Sequence, residues 1–214
     1  MRLDHVSYVS SHDQISDVVN RIGSQIGTAF VDGGIHPKFG TRNFTAPLLN
    51  GQYIEVVCPM DHPATEATPF GQAVKKKANE GGGWMGWAIA TDKIQIIESR
   101  LERKSVDGLR KRPDGTSLHW KQIGVLEIIQ NSNSPFFVEW LSIEHPSRDG
   151  IPIAEIVKLY LSGLTLNSEL FKQVSNSIKQ QGTEIQLVSQ AANEFGQGLS
   201  QVDFKIKNRV ISIK

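Results

Sequence analysis

The chain has 214 residues, 39% of them hydrophobic and 21% charged, the make-up of an ordinary globular protein with enough length for a sizeable core. Its 23 basic and 22 acidic residues leave a net charge of +1, which argues against a nucleic-acid or anionic-membrane binder. The single cysteine, Cys58, excludes an internal disulfide, and with no leader-like or membrane-spanning apolar run the expectation is a cytoplasmic protein.

In chain order, residues 3–9 alternate, with Leu3, His5, Ser7 and Val9 on one face and Asp4, Val6 and Tyr8 on the other, which predicts a strand. Ile15, Val18, Val19 and Ile22 then follow helical spacing, with Asp13 or Ser16 near the cap. Gly33, Gly34 and Pro37 predict a turn-rich loop. Strands near 41–48 and 52–58 follow, separated by Asn50-Gly51, a dipeptide that suits the positive φ of a hairpin. The run KKKANEGGG at 75–83 reads as a helix end and a flexible, solvated connector.

Beyond residue 83 the chain echoes itself. WMGWAIATDKIQIIESRL at 84–101 resembles 3–22, RPDGTSLH at 112–119 resembles HPKFGTRN at 36–43, and FFVEWLSIEHP at 136–146 resembles YIEVVCPMDHP at 53–63. The last pair differs in spacing by one, since Glu55 precedes His62 by seven residues and Glu139 precedes His145 by six. Three echoes in one order predict an α+β fold of two strand-helix-strands modules, 1–63 and 84–146, joined by a connector at 64–83. The tail, 147–214, reads as a third, partial module packed on the first two. Its elements are a strand over 155–161, a helix through Leu170, Phe171, Val174 and Ile178 capped by Asn167 or Ser168, and strands near 183–188, 201–206 and 209–213.

Charged groups in mid-strand among apolar neighbours need a partner, a metal or water. His5, Glu55 and Glu139 occupy such places, Glu55 on the face of Tyr53 and Val57, and Glu139 on the face of Phe137 and Leu141. One imidazole and two carboxylates facing one cavity suit a divalent ion with open positions. Without metal, converging carboxylates repel and give a base beside an acid; the alternative is salt-bridging in a passive cavity. His36 and Asn43 border either a pocket or a plain His-Pro turn. Arg112 suits a carboxylate substrate, while its neighbours Arg110 and Lys111 read as a solvated face. His119, beside Trp120 on a strand, is a further candidate for the site. His62 and His145, each before a proline, read as turn-shaping. No phosphate-binding glycine loop is present, so no nucleotide cofactor is expected.

The segments GGIHPKFGTRNFTAPL, QYIEVV, WAIATD, KRPDGT and FFVEW-x-x-x-EHP resemble the glyoxalase-like branch of the vicinal oxygen chelate superfamily. That resemblance implies two modules closing an incomplete barrel around a divalent ion, with Mn²⁺, Fe²⁺, Ni²⁺ and Zn²⁺ as candidates. It takes one ligand from the first and one from the last strand of each module. Carried over, these are His5, Glu55 and Glu139, with Gly86, or Trp87 in a shifted register, at the fourth position. The expected activity is on a carbonyl or vicinal-dioxygen compound, as lyase, isomerase or ring-opening enzyme, with Glu55 or Glu139 moving a proton. The alternative is a metal-free protein that sequesters a small molecule. A homodimer is a further implication of the resemblance.

Overall fold

The computed structural model describes residues 1–125, 133–163, 172, 176, 185–191 and 197–214. The first strand, β1 (Arg2–Val9), leads into helix α1 (Ile15–Ile26) and then β2 (Val31–His36), β3 (Thr41–Leu48) and β4 (Gln52–Pro59). After α2 (Pro63–Ala67) and α3 (Pro69–Asn79), the same order returns as β5 (Gly83–Ala90), α4 (Ile94–Leu101), β6 (Val106–Lys111), β7 (Ser117–Ile123) and β8 (Phe136–Trp140). These eight strands form one barrel in the order β1-β4-β3-β2-β6-β7-β8-β5. It is closed within one chain rather than incomplete: β1 and β5 pair antiparallel along one seam. The other seam is a single pair, Ile35 opposite Lys111.

Alternation along the strands sorts side chains into two layers. Leu3, Val6, Ile54, Val56, Cys58, Ile89 and Phe137 face outward and pack with Ile15, Ile22 and Ile26 of α1 and Ile94 and Ile97 of α4. Each such fully buried aliphatic side chain contributes about 1.5–3 kcal/mol. Val9, Val57, Ala88, Leu118, Trp120, Phe136 and Val138 face inward. The predicted Asn50-Gly51 turn is present, with φ of 62° and 70° at its two residues.

Two local expectations are corrected. Gly33 and Gly34 lie within β2 rather than in a loop. A Cβ on Gly34 would meet the Lys111 carbonyl at 1.9 Å, so glycine is what lets β2 and β6 close the barrel. The connector is not solvated along its length: α2 and α3 begin at His62-Pro63 and Thr68-Pro69, with each cap side chain accepting a backbone N–H, and the helix end expected at Lys75 to Lys77 is that of α3. Phe70 and Val74 of α3 are buried against the inward-facing cluster, plugging one end of the barrel.

The tail forms a second sheet from β9 (Glu155–Ser162), β10 (Gln186–Gln190), β11 (Gly198–Ile206) and β12 (Arg209–Ile213), in the order β10-β9-β11-β12. In the barrel the first strand of each unit pairs with its last, β1 with β4 and β5 with β8. Here the first strand, β9, pairs with β10 and β11 instead. The tail thus pairs its strands in an order unlike that of the two barrel units. The helix expected over 167–182 lies outside the described residues except at 172 and 176, both helical. The sheet braces the barrel through Trp84 on β5, whose indole N–H donates to the Ile213 carbonyl at 2.9 Å and whose ring lies beside Phe204. Among the described residues, no helix is long and apolar enough to cross a membrane.

Candidate active site

Inside the barrel lies a pocket enclosing about 410 Å³ not filled by protein atoms, part of it open to solvent. Its polar lining comes from His5 (β1), His36 (β2), Tyr53 and Glu55 (β4), Arg110 (β6) and Gln122 (β7). Phe39, Phe70, Trp120, Phe136, Val138 and Trp140 supply the apolar wall.

His5 owes its aim to a local irregularity. Leu3 pairs with Ile89 and His5 with Ala88, leaving Asp4 as an extra residue in β1, which is the condition for a β-bulge. The bulge brings neighbouring side chains together, and His5 Nδ1 lies 3.0 Å from Asp4 Oδ2. The ring stacks on Tyr53 at 4.5 Å between centroids and meets Phe136 edge-on. Asp4 is fully buried yet held well below the usual carboxylate range. Burial alone opposes this; hydrogen bonds and charge from His145 and His5 outweigh it. Arg2 and the Trp140 indole also donate to Asp4, at 3.0 and 3.1 Å. A buried, ionised carboxylate on Nδ1 fixes that nitrogen as the proton carrier and leaves Nε2 as the acceptor.

Glu55 is fixed just as firmly. It pairs across the sheet with Ser7, whose hydroxyl donates to Oε2 at 2.9 Å, while Asn43 Nδ2 donates to Oε1 at 2.7 Å. Burial raises its pKa, but the charges of His5 and His36 and these two bonds bring it below the usual value. His36 Nε2 stands 4.0 Å from Oε1. Burial pushes the His36 pKa down to about 4, against the pull of Glu55, so this imidazole is neutral at neutral pH. Tyr53 keeps its phenol proton, since burial and then Asp4 and Glu55 raise its pKa.

Arg110 is 2% exposed and lines the same pocket. Its Nε and Nη2 are buried without a hydrogen-bond partner among the described residues. Gly33 makes room for it: a Cβ there would lie 3.0 Å from Arg110 Nη1 and 2.3 Å from Asn43 Oδ1.

The expected site residues are thus only partly brought together. His5, Glu55 and His36 line the pocket, and Asn43 supports it through Glu55. Glu139 does not: β8 turns Phe136, Val138 and Trp140 inward, while Phe137, on the Glu139 face, packs in the outer layer. The register explains the error. Both first strands meet at His5 opposite Ala88, and Tyr53 and Phe136 occupy matching places beside them. The same offset puts Val138 at the Glu55 position, Ala88 rather than Gly86 at the His5 position, and His145 on His62. The two histidines do match, since each caps the turn after it by accepting an N–H two residues on.

His119 points outward and is exposed, opposite in alternation to Trp120 and Gln122. Arg112 is outside the pocket lining and ion-paired with Asp149. The expected solvated face at Arg110 is instead the buried cation of the site. Asp4 and Arg110 were missed: nothing in a lone alternating pattern announces a bulge, although Gly108 and Arg110 do share one face of β6 by alternation.

A divalent ion at the expected place does not fit these residues. Two of the four positions are Ala88 and Val138, both Glu55 oxygens already accept hydrogen bonds, and the Arg110 cation faces the same space. Among the described residues, no group of three His, Cys, Asp or Glu side chains is placed to hold a metal.

A barrel of two like-ordered units around a polar pocket defines the vicinal oxygen chelate class, whose members are often metal-dependent enzymes. Within it, the chain belongs to the glyoxalase-like domain family, whose model matches residues 3–181. Among solved structures, a hypothetical protein from Staphylococcus aureus is similar over 100% of this chain and 85% of its own, at 17% identity and a TM-score of 0.56. Methylmalonyl-CoA epimerase from Mycobacterium tuberculosis covers 65% of this chain and 86% of its own, at 14% identity and a TM-score of 0.44. No curated protein matches the chain.

Proposed function

We propose that the pocket performs acid–base proton transfer on a small carbonyl compound, as an isomerase or lyase, without a metal. The observation that carries this reading is the Asp4–His5 pair, a buried carboxylate behind an imidazole that lines the pocket. His5 Nε2 takes the proton from the carbon beside the carbonyl, and Asp4 and Glu55 stabilise the imidazolium that results. Tyr53, still protonated, is a donor for the oxygen that gains charge. Residues 1–63 supply these groups, 84–146 the apolar wall and Arg110, 64–83 the plug, and 147–214 a brace. The second reading, a protein that sequesters its ligand, is favoured by the aromatic wall.

The test follows exchange in deuterated water by proton NMR across small aldehydes and ketones, with loss of the signal beside the carbonyl as the readout. Wild-type protein is expected to exchange at least about 100-fold faster than His5→Gln. Equal rates contradict the role of His5; binding with no exchange supports sequestration.

A further inference from the structure

A guanidinium left unpaired inside a protein is costly, because its N–H groups lose water and gain nothing in return. Arg110 is in that position: 2% exposed, lining the pocket, with Nε and Nη2 unsatisfied. The pocket carboxylate does not relieve it through hydrogen bonds: the Glu55 oxygens are bonded to Ser7 and Asn43, and neither Nε nor Nη2 is bonded to them. Asp149 is engaged by Arg112 instead. The two orphan atoms also lie on one edge of the guanidinium. Nε–H and Nη2–H together form the side-on fork that matches the two oxygens of a carboxylate.

We infer that the pocket takes a small monocarboxylate, held two-pronged on the Nε–Nη2 edge of Arg110 with its remaining atoms toward His5 and Glu55. The occupant carries no more than a single negative charge: with Glu55 ionised near the Arg110 cation, a monocarboxylate brings these groups to −1 and a phosphate dianion to −2. The wall of Trp120, Trp140 and Phe136 suits a short apolar or carbonyl-bearing remainder. This inference deepens the proposed function by naming its substrate class and shares with it only the pocket as ligand site.

The experiment titrates the full chain with acetate, propionate and pyruvate, with their primary amides, and with inorganic phosphate. Calorimetry and the fluorescence of Trp120 and Trp140 give the affinities. Acids are expected to bind at least about tenfold more tightly than amides and phosphate. Arg110→Met is expected to lose that preference while its urea midpoint equals or exceeds that of wild type, since the unpaired charge is gone. Arg110→Lys keeps charge without the fork and is expected to lose most of the preference.

Equal binding of acids and amides by wild type overturns the inference, whatever the variants do. So does phosphate binding as tight as that of the acids, or acid binding that survives in Arg110→Met. His5→Gln separates the two claims, because it is expected to lose exchange while keeping the preference for acids over amides that Arg110 sets. Acid binding without proton exchange leaves the carboxylate site standing and removes the proposed reaction; exchange of neutral ketones with no acid binding does the reverse.

Discussion

His36 makes the protein sensitive to mild acid, and the size of the effect follows from its surroundings. Its ring is 3% exposed, within edge contact of Phe39, Phe70 and Trp120. Burial lowers its pKa from 6.5 to about 4, with Arg110 and His5 adding to the fall and Glu55 opposing it. One pH unit of difference between folded and unfolded states is worth about 1.4 kcal/mol, so His36 alone accounts for about 3 kcal/mol. The sign is set by which state binds the proton. Between pH 6.5 and about 4 the unfolded chain takes up a proton that the folded chain refuses, so stability is lost as pH falls through that window. His36→Phe keeps the ring contacts and removes the titration. It also strips the 2.9 Å hydrogen bond to Thr41, costing about 1 kcal/mol at every pH. Urea unfolding of both proteins, from about pH 7 to about pH 4, reads the difference. Wild type is expected to lose about 3 kcal/mol more than the variant as the pH reaches about 4. Parallel losses, or a folded-state His36 that titrates near its ordinary value by NMR, would refute the reasoning.

Three further substitutions separate the residues that build the site from those that flank it. Asp4→Asn removes the charge on which His5, His145, Arg2 and Trp140 converge. It is expected to cost about 3 kcal/mol in urea unfolding and to slow proton exchange by about 100-fold with little change in ligand affinity. Because Asp4 is held below its ordinary pKa, its contribution is present at neutral pH and is lost as pH falls below the usual carboxylate range. By contrast, Glu139→Gln and His119→Ala lie outside the pocket lining and are expected to leave exchange rate and carboxylate affinity unchanged. A large loss of either quantity in these variants would return Glu139 or His119 to the site.

Much of the barrel was legible because it rests on short-range rules. Alternation placed His5 and Glu55 on strands, and Asn50-Gly51 marked a turn that needs two positive φ angles. The repeat also foretold the second unit. Its alignment failed by one residue at Glu139, and in a strand one residue turns a side chain to the opposite face. The His-Pro pairs carried the better alignment, since their spacing matches the observed register and the glutamates do not. Arg110 was hidden by its charged neighbours Lys111 and Arg112, which solvate or pair outside the pocket while Arg110 turns inward. The bulge at Asp4 and the order of strands in the tail depend on which strands meet in space, and hydrophobic periodicity does not encode that. Residues 64–83 read as a connector because of Lys75 to Lys77 and Gly81 to Gly83, yet Phe70 and Val74 at helical spacing were enough to anchor the segment before them.

The central claim is that this barrel works through the Asp4–His5 pair on one side of its pocket and not through a metal shared between both. Its most direct test is elemental analysis of the purified full chain, before and after dialysis against a chelator, with proton exchange measured on the same samples. The account predicts substoichiometric metal and an exchange rate that chelation leaves unchanged. One divalent ion per chain, lost together with exchange in both His5→Ala and Glu55→Ala, would contradict it.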